Sequence, residues 1–145
     1  MIVMNKLMLV SLVSLAATGA QAQYVGNNPG KAPWGAGSAG MPKTVKVIVV
    51  SGDPALAGPY KIRLRYPPGY RIGPHRHPNE AKFEIITGGL TYGMGTDKHS
   101  EVRSLTKGGT GVVPANTYYY ASTAVGATVE FTGTGPYKIE YAKPK

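Results

Sequence analysis

Residues 60–66 (YKIRLRY) alternate apolar and basic side chains without a break. Ile62, Leu64 and Tyr66 share one face, and Lys61, Arg63 and Arg65 share the other. A period of two belongs to a strand with one face in a core and one in water, so a half-buried antiparallel strand with a basic outer face is expected. Residues 44–51 (TVKVIVVS), rich in Val and Ile, predict another. Runs of similar texture at 82–87, 90–94, 111–113, 117–122, 128–132 and 137–141 predict more strands. Gly and Pro stand between them, as tight corners require, and no segment keeps a helical period. The expected fold class is all-β, a sandwich or barrel of short antiparallel strands.

The first 42 residues do not share this texture. A short start carrying Lys6 leads into an apolar run at 7–17, too short to span a bilayer, and then into Ala20-Gln21-Ala22. Charged start, apolar middle and small-x-small end predict a secretory signal over 1–22 and a periplasmic or secreted protein. No later stretch is long and apolar enough for membrane insertion by a helix. Residues 23–42 (QYVGNNPGKAPWGAGSAGMP) hold Gly, Pro and Asn with no apolar period, which predicts a flexible leader. Its one large apolar residue, Trp34, either folds back on the barrel or does nothing specific. The remaining domain, 43–145, has the length for a single core.

Composition narrows the chemistry. The chain has no cysteine, which removes disulfides and thiolate catalysis. The formal charge of +9 allows attraction to anionic surfaces or acidic small molecules, or simply solubilises the domain. With an export signal, nucleic acid is not an expected partner. The Gly-rich run 108–111 is followed by neither a helix nor a Lys-Ser/Thr pair, so it is not a phosphate loop.

Candidate chemistry concentrates in residues 69–88 (GYRIGPHRHPNEAKFEIITG). His75 and His77, two of the three histidines, are two apart, and a strand sends such residues to one face. Paired inward imidazoles chelate a divalent transition metal or stand as a satisfied structural pair. Glu80, in the turn after His77, either swings inward as a third metal ligand or stays a solvated turn carboxylate. Phe83 and Ile85 should face the pocket and core, sending Glu84 outward. His99 falls in a polar loop, and the facing of Glu130 is ambiguous from pattern.

The run of Gly69, His75-x-His77, a turn, and a strand ending at Gly88 resembles the first cupin motif. Gly108 followed by Pro114-Ala115 resembles the start of the second, and flanking segments at 52–64 and 133–137 fit a group of small cupins. The resemblance spans about residues 43–145 and implies a double-stranded antiparallel jelly-roll barrel holding a metal or small ligand. The usual cupin ligand set is two histidines and a glutamate, then a further histidine. His75 and His77 match the first two positions. Ala81 stands at the glutamate position, Tyr119 at the last histidine, and Asn116 where glycine is usual. Tyr119 then becomes a pocket tyrosine that hydrogen-bonds, since its phenol ionises only under a strong Lewis acid.

The resulting expectation is an exported cupin domain that binds a small-molecule ligand, with a weakly held divalent transition metal as a conceivable cofactor and without robust catalysis. The alternative is a metal-dependent enzyme, of oxygenase or isomerase type, using His75, His77 and Glu80. A third reading places the basic strand Lys61, Arg63 and Arg65 on anionic surfaces. Tyr118 and Tyr120, opposite Tyr119, offer either a homodimer contact or packing on their own sheet.

Overall fold

The computed structural model describes residues 33–37, 40–97 and 101–144. Residues 1–22, expected as a signal, residues 23–32, 38 and 39 of the expected leader, and His99 lie outside them. The described residues contain no helix and ten strands: β1 Gly35–Ala36, β2 Lys46–Ser51, β3 Gly58–Tyr66, β4 Arg71–Arg76, β5 Ala81–Met94, β6 Val102–Thr106, β7 Thr110–Val113, β8 Tyr119–Ser122, β9 Ala127–Gly135 and β10 Glu140–Tyr141.

All pairings are antiparallel. One sheet runs β1-β2-β3-β9-β5, with β7 also on β5; the other joins β5, β8, β4 and β10, with β6 on β5. The two runs expected at 82–87 and 90–94 are therefore one strand serving both sheets. Its first half pairs β9 and β7, and its second half pairs β8 and β6. The hand-over falls at a register shift between Ile85 and Thr87 and at Gly88, whose φ is +76°. A Cβ at Gly88 would collide with the Gly126 carbonyl, so only glycine lets the strands close there.

The alternation in β3 places Ile62 and Leu64 in the core and Lys61, Arg63 and Arg65 outside. Opposite it, β9 buries Val129 and Phe131 and turns Glu130 outward, which resolves its facing. Glu130 there bonds Arg63 (2.7 Å) and Lys61 (3.1 Å). Burial favours a neutral Glu130 carboxyl, but these two cations outweigh it and hold its pKa below the usual value. Two of the three outer cations are thus paired within the chain. The third, Arg65, lies 3.8 Å over the Trp34 ring. The leader's described part is held against the barrel, with β1 laid on the β2 edge.

Besides the merged β5, four elements differ from the pattern reading: β1 and β4, which lie outside the runs expected as strands, and the two that follow. The strand expected at 137–141 shrinks to Glu140–Tyr141, because residues 137–139 turn across the barrel end. β6, a polar and largely exposed edge, carried too little apolar signal to be expected.

Candidate functional site

The histidines sit where strand geometry sends them. His75 is near the end of β4 and His77 just beyond it, and each is only 2% exposed. Their ring centroids are 5.3 Å apart at 88°. Across the sheet His75 pairs with Tyr119 of β8, whose ring lies 4.2 Å from His75 and 5.7 Å from His77. Asn116 fixes this end from behind: its N–H donates to the His77 carbonyl at 2.8 Å. Its φ of +55° is the left-handed conformation, which explains glycine as the usual residue and asparagine as a workable substitute.

Hydrogen bonds fix both tautomers. His75 Nδ1 lies 2.8 Å from the Gly73 carbonyl, and His77 Nδ1 lies 2.7 Å from the Lys138 carbonyl. A carbonyl only accepts, so each Nδ1 carries the hydrogen. Burial pulls the His75 pKa down to about 4, with His77 nearby adding to the effect and the Gly73 bond opposing it. Burial likewise lowers His77, against its bond to Lys138. Both rings are neutral at pH 7, so both Nε2 atoms hold a lone pair. That of His77 accepts the Tyr119 hydroxyl at 2.9 Å.

Around this pair stands a wall of tyrosines. Tyr137 stacks on His77 at 4.7 Å and 29° and Tyr141 lies 6.0 Å from His75; elsewhere in the core Tyr66 stacks on Tyr70 at 4.7 Å. Burial raises the phenol pKa of Tyr66, Tyr70, Tyr119 and Tyr137, so they act as hydrogen-bond donors and not as anions. The Tyr70 hydroxyl is buried without a protein partner, as is that of Thr123. The site therefore offers neutral imidazole acceptors, phenol donors and aromatic faces.

The three-ligand set His75, His77 and Glu80 is not assembled. Glu80 is exposed, because the turn after His77 gives it nothing to pack against. Ala81 is the residue that takes the inward position, 1% exposed, and it has no donor atom. Among the described residues no group of three or more His, Cys, Asp or Glu side chains comes together. A structural zinc takes four protein ligands and a catalytic one three. Two imidazoles, one already accepting a hydrogen bond from a tyrosine hydroxyl, do not fit a resident metal.

The pocket residues Phe83 and Ile85 lie in the core, 4% and 0% exposed, with Phe83 5.6 Å from Phe131, which in turn neighbours Tyr137. Glu84 is exposed. Tyr118 packs under Arg76, and Tyr120 lies over Gly93, where a Cβ would meet its hydroxyl. The residues that pattern reading missed are Tyr70, Tyr137, Tyr141 and the Lys138 carbonyl. The abundance of tyrosine, ten in the chain, was the one available signal, and it does not show which rings converge.

No protein-family model matches the sequence. No curated protein matches it either. Solved structures do match the architecture. Halomonas sp. KdgF superposes with a TM-score of 0.57 at 15% identity, covering 73% of this chain and 89% of KdgF. The cupin domain of Schizosaccharomyces pombe Cnp3 gives 0.59 at 14%, covering 76% and 68%. The fold is that of the cupins. Among other cupin-fold neighbours is the DMSP lyase DddQ of Ruegeria pomeroyi, with a TM-score of 0.59 at 16% identity; the match covers 69% of this chain but only 52% of the lyase. At these identities the likeness is one of fold, and these neighbours' activities stay with them.

Proposed function

We propose that this chain is an exported cupin-fold binding protein whose barrel end, built on His75, His77 and Tyr119, takes one small hydroxylated ligand without turning it over. The observation that carries the reading is the locked Nδ1–H tautomer of both buried, neutral imidazoles. His75 Nδ1 is committed to the Gly73 carbonyl, so Nε2 is this ring's acceptor, which suits a ligand with O–H groups. The unpartnered Tyr70 hydroxyl adds a buried donor in the same tyrosine-rich interior. Export is supported by the charged, apolar and small-x-small order of residues 1–22.

Gluconate, a polyhydroxylated carboxylate, is a suitable probe in isothermal titration against the chain from residue 23 onward. Saturable binding is expected, lost in His75→Ala and unchanged in Glu80→Ala. Proton uptake by His75 removes its lone pair, so affinity should fall as pH drops towards about 4. No heat from gluconate, or equal heat from His75→Ala, would contradict the reading. A divalent metal that binds in proportion to protein and depends on Glu80 would favour the enzyme alternative instead.

A further inference from the structure

Residues 136–144 run from the end of β9 across the histidine end and then along the open edge of β4. Tyr137 covers one face of His77. The Lys138 carbonyl takes the His77 Nδ1 hydrogen. Glu140 and Tyr141 then pair with Arg76 and His75, and the Ala142 N–H reaches the Pro74 carbonyl. The Tyr137 ring, the Lys138 carbonyl and the Tyr141 ring, all set against the histidine pair, belong to one short segment. That segment stands in the place of a ligand: an aromatic ring on an imidazole face, and an oxygen on an imidazole N–H.

Tyr137 anchors the start of the segment, its N–H donating to the Pro54 carbonyl at 2.6 Å and its ring meeting Tyr60 and Phe131, but little holds the residues beyond it. The segment's ladder with β4 is two residues long. Its side-chain anchor is Glu140 Oε2 on Arg76 Nε, at 2.9 Å between side chains 49% and 37% exposed. An ion pair so open to water contributes little to stability. The Tyr141 hydroxyl adds one exposed bond to the Gly40 carbonyl, 3.0 Å. Outside the segment lies a cleft of about 960 Å³, lined by Arg76, Asp97, Tyr118, Glu140, Tyr141 and Lys143 among others, and by neither histidine. Arg76 thus faces open space while it holds a carboxylate that belongs to the chain itself.

We propose that residues 138–144 are a strap over the histidine site, latched by Glu140 on Arg76, and that a small carboxylate entering the outer cleft displaces Glu140 and opens the barrel end. This rests on the binding reading above and adds to it the ligand's acid group and its point of entry. The carboxylate docks on Arg76, with Lys143 on the same cleft wall, and the strap swings away, taking the Lys138 carbonyl from His77 and the Tyr141 ring from His75. Hydroxyl groups on the same ligand then reach the imidazoles.

Access to the histidines is measurable without any knowledge of the natural ligand. Diethyl pyrocarbonate acylates an imidazole nitrogen that carries a lone pair, and peptide mass mapping in a His99→Asn background reads His75 and His77 separately. Propionate, which has a carboxylate and no hydroxyl, is the probe, with chloride at equal ionic strength as the control. Modification of His75 should rise roughly two- to fivefold in Glu140→Gln, the scale of one exposed ion pair. Propionate should produce the same rise in the unmutated latch and none beyond it in Glu140→Gln. Because the chain has no cysteine, Arg76→Cys with Glu140→Cys gives one defined disulfide across the pair; oxidised it should protect His75, and reduced it should expose it. Equal modification in the latched, Glu140→Gln and disulfide-locked forms would overturn the strap, and a rise in Glu140→Gln with no response to propionate would overturn the carboxylate trigger. A latch that opens while gluconate still fails to bind would leave the strap standing and remove the binding reading.

Discussion

At the scale of single residues, the account turns on two imidazoles kept neutral by burial. The His75 pKa is about 4 in the folded chain and near 6.5 when unfolded, so the unfolded chain takes up its proton first as pH falls. Folded stability from this group is complete above about pH 6.5 and is lost on acidification towards pH 4, and the lowered His77 acts in the same direction. Urea unfolding at pH 7 and pH 4.5 should show a loss of roughly 3 kcal/mol, with the slope reduced in His75→Gln. Tyr119→Phe removes the proton offered to His77 Nε2 and leaves a buried acceptor unpaired. It should cost about 1–3 kcal/mol by the same assay, whereas a wild-type midpoint would show that the bond is unimportant. The spacing of His75 and His77 revealed the pair in the sequence. It did not reveal their tautomers, because the fixing carbonyls come from Gly73 two residues away and Lys138 sixty-one residues away.

At the scale of elements, alternation was legible wherever one strand face is buried and the other wet, as in β3. It failed where facing changes within a strand. β5 crosses from one sheet to the other at Gly88, and the glycine that ends a motif in the sequence is a bend inside a continuous strand. Gly88→Ala combines a positive φ with a collision against the Gly126 carbonyl. It should lower stability by roughly 2 kcal/mol or more, while Asn116→Gly, already suited to its left-handed φ, should change it little. Comparable midpoints for Gly88→Ala and the parent would refute the closure described for β5. The long-range placement of 137–141 was not legible either, since nothing local marks a segment that gives up strand pairing to cross the barrel end.

At the scale of the whole molecule, the basic charge proves to be partly internal. Glu130 ties Lys61 and Arg63, and Trp34 brings the leader under Arg65, so the outer face of β3 is less available to anionic surfaces than its sequence suggests. Trp34→Ala should cost about 0.5–1 kcal/mol and loosen β1 from β2, seen as faster amide exchange at Val47. The barrel resembled the cupins from its motifs, and the structural neighbours agree. The motifs did not show what the two remaining positions do: Ala81 is buried with no donor atom, and Tyr119 donates to His77 Nε2. The most direct measurement is imidazole nitrogen NMR of the chain from residue 23 at pH 7, titrated with gluconate. The account predicts neutral Nδ1–H rings at His75 and His77 and a His75 Nε2 resonance that shifts to saturation. A charged or Nε2–H ring in the free protein, or nitrogen shifts that gluconate does not move, would contradict it.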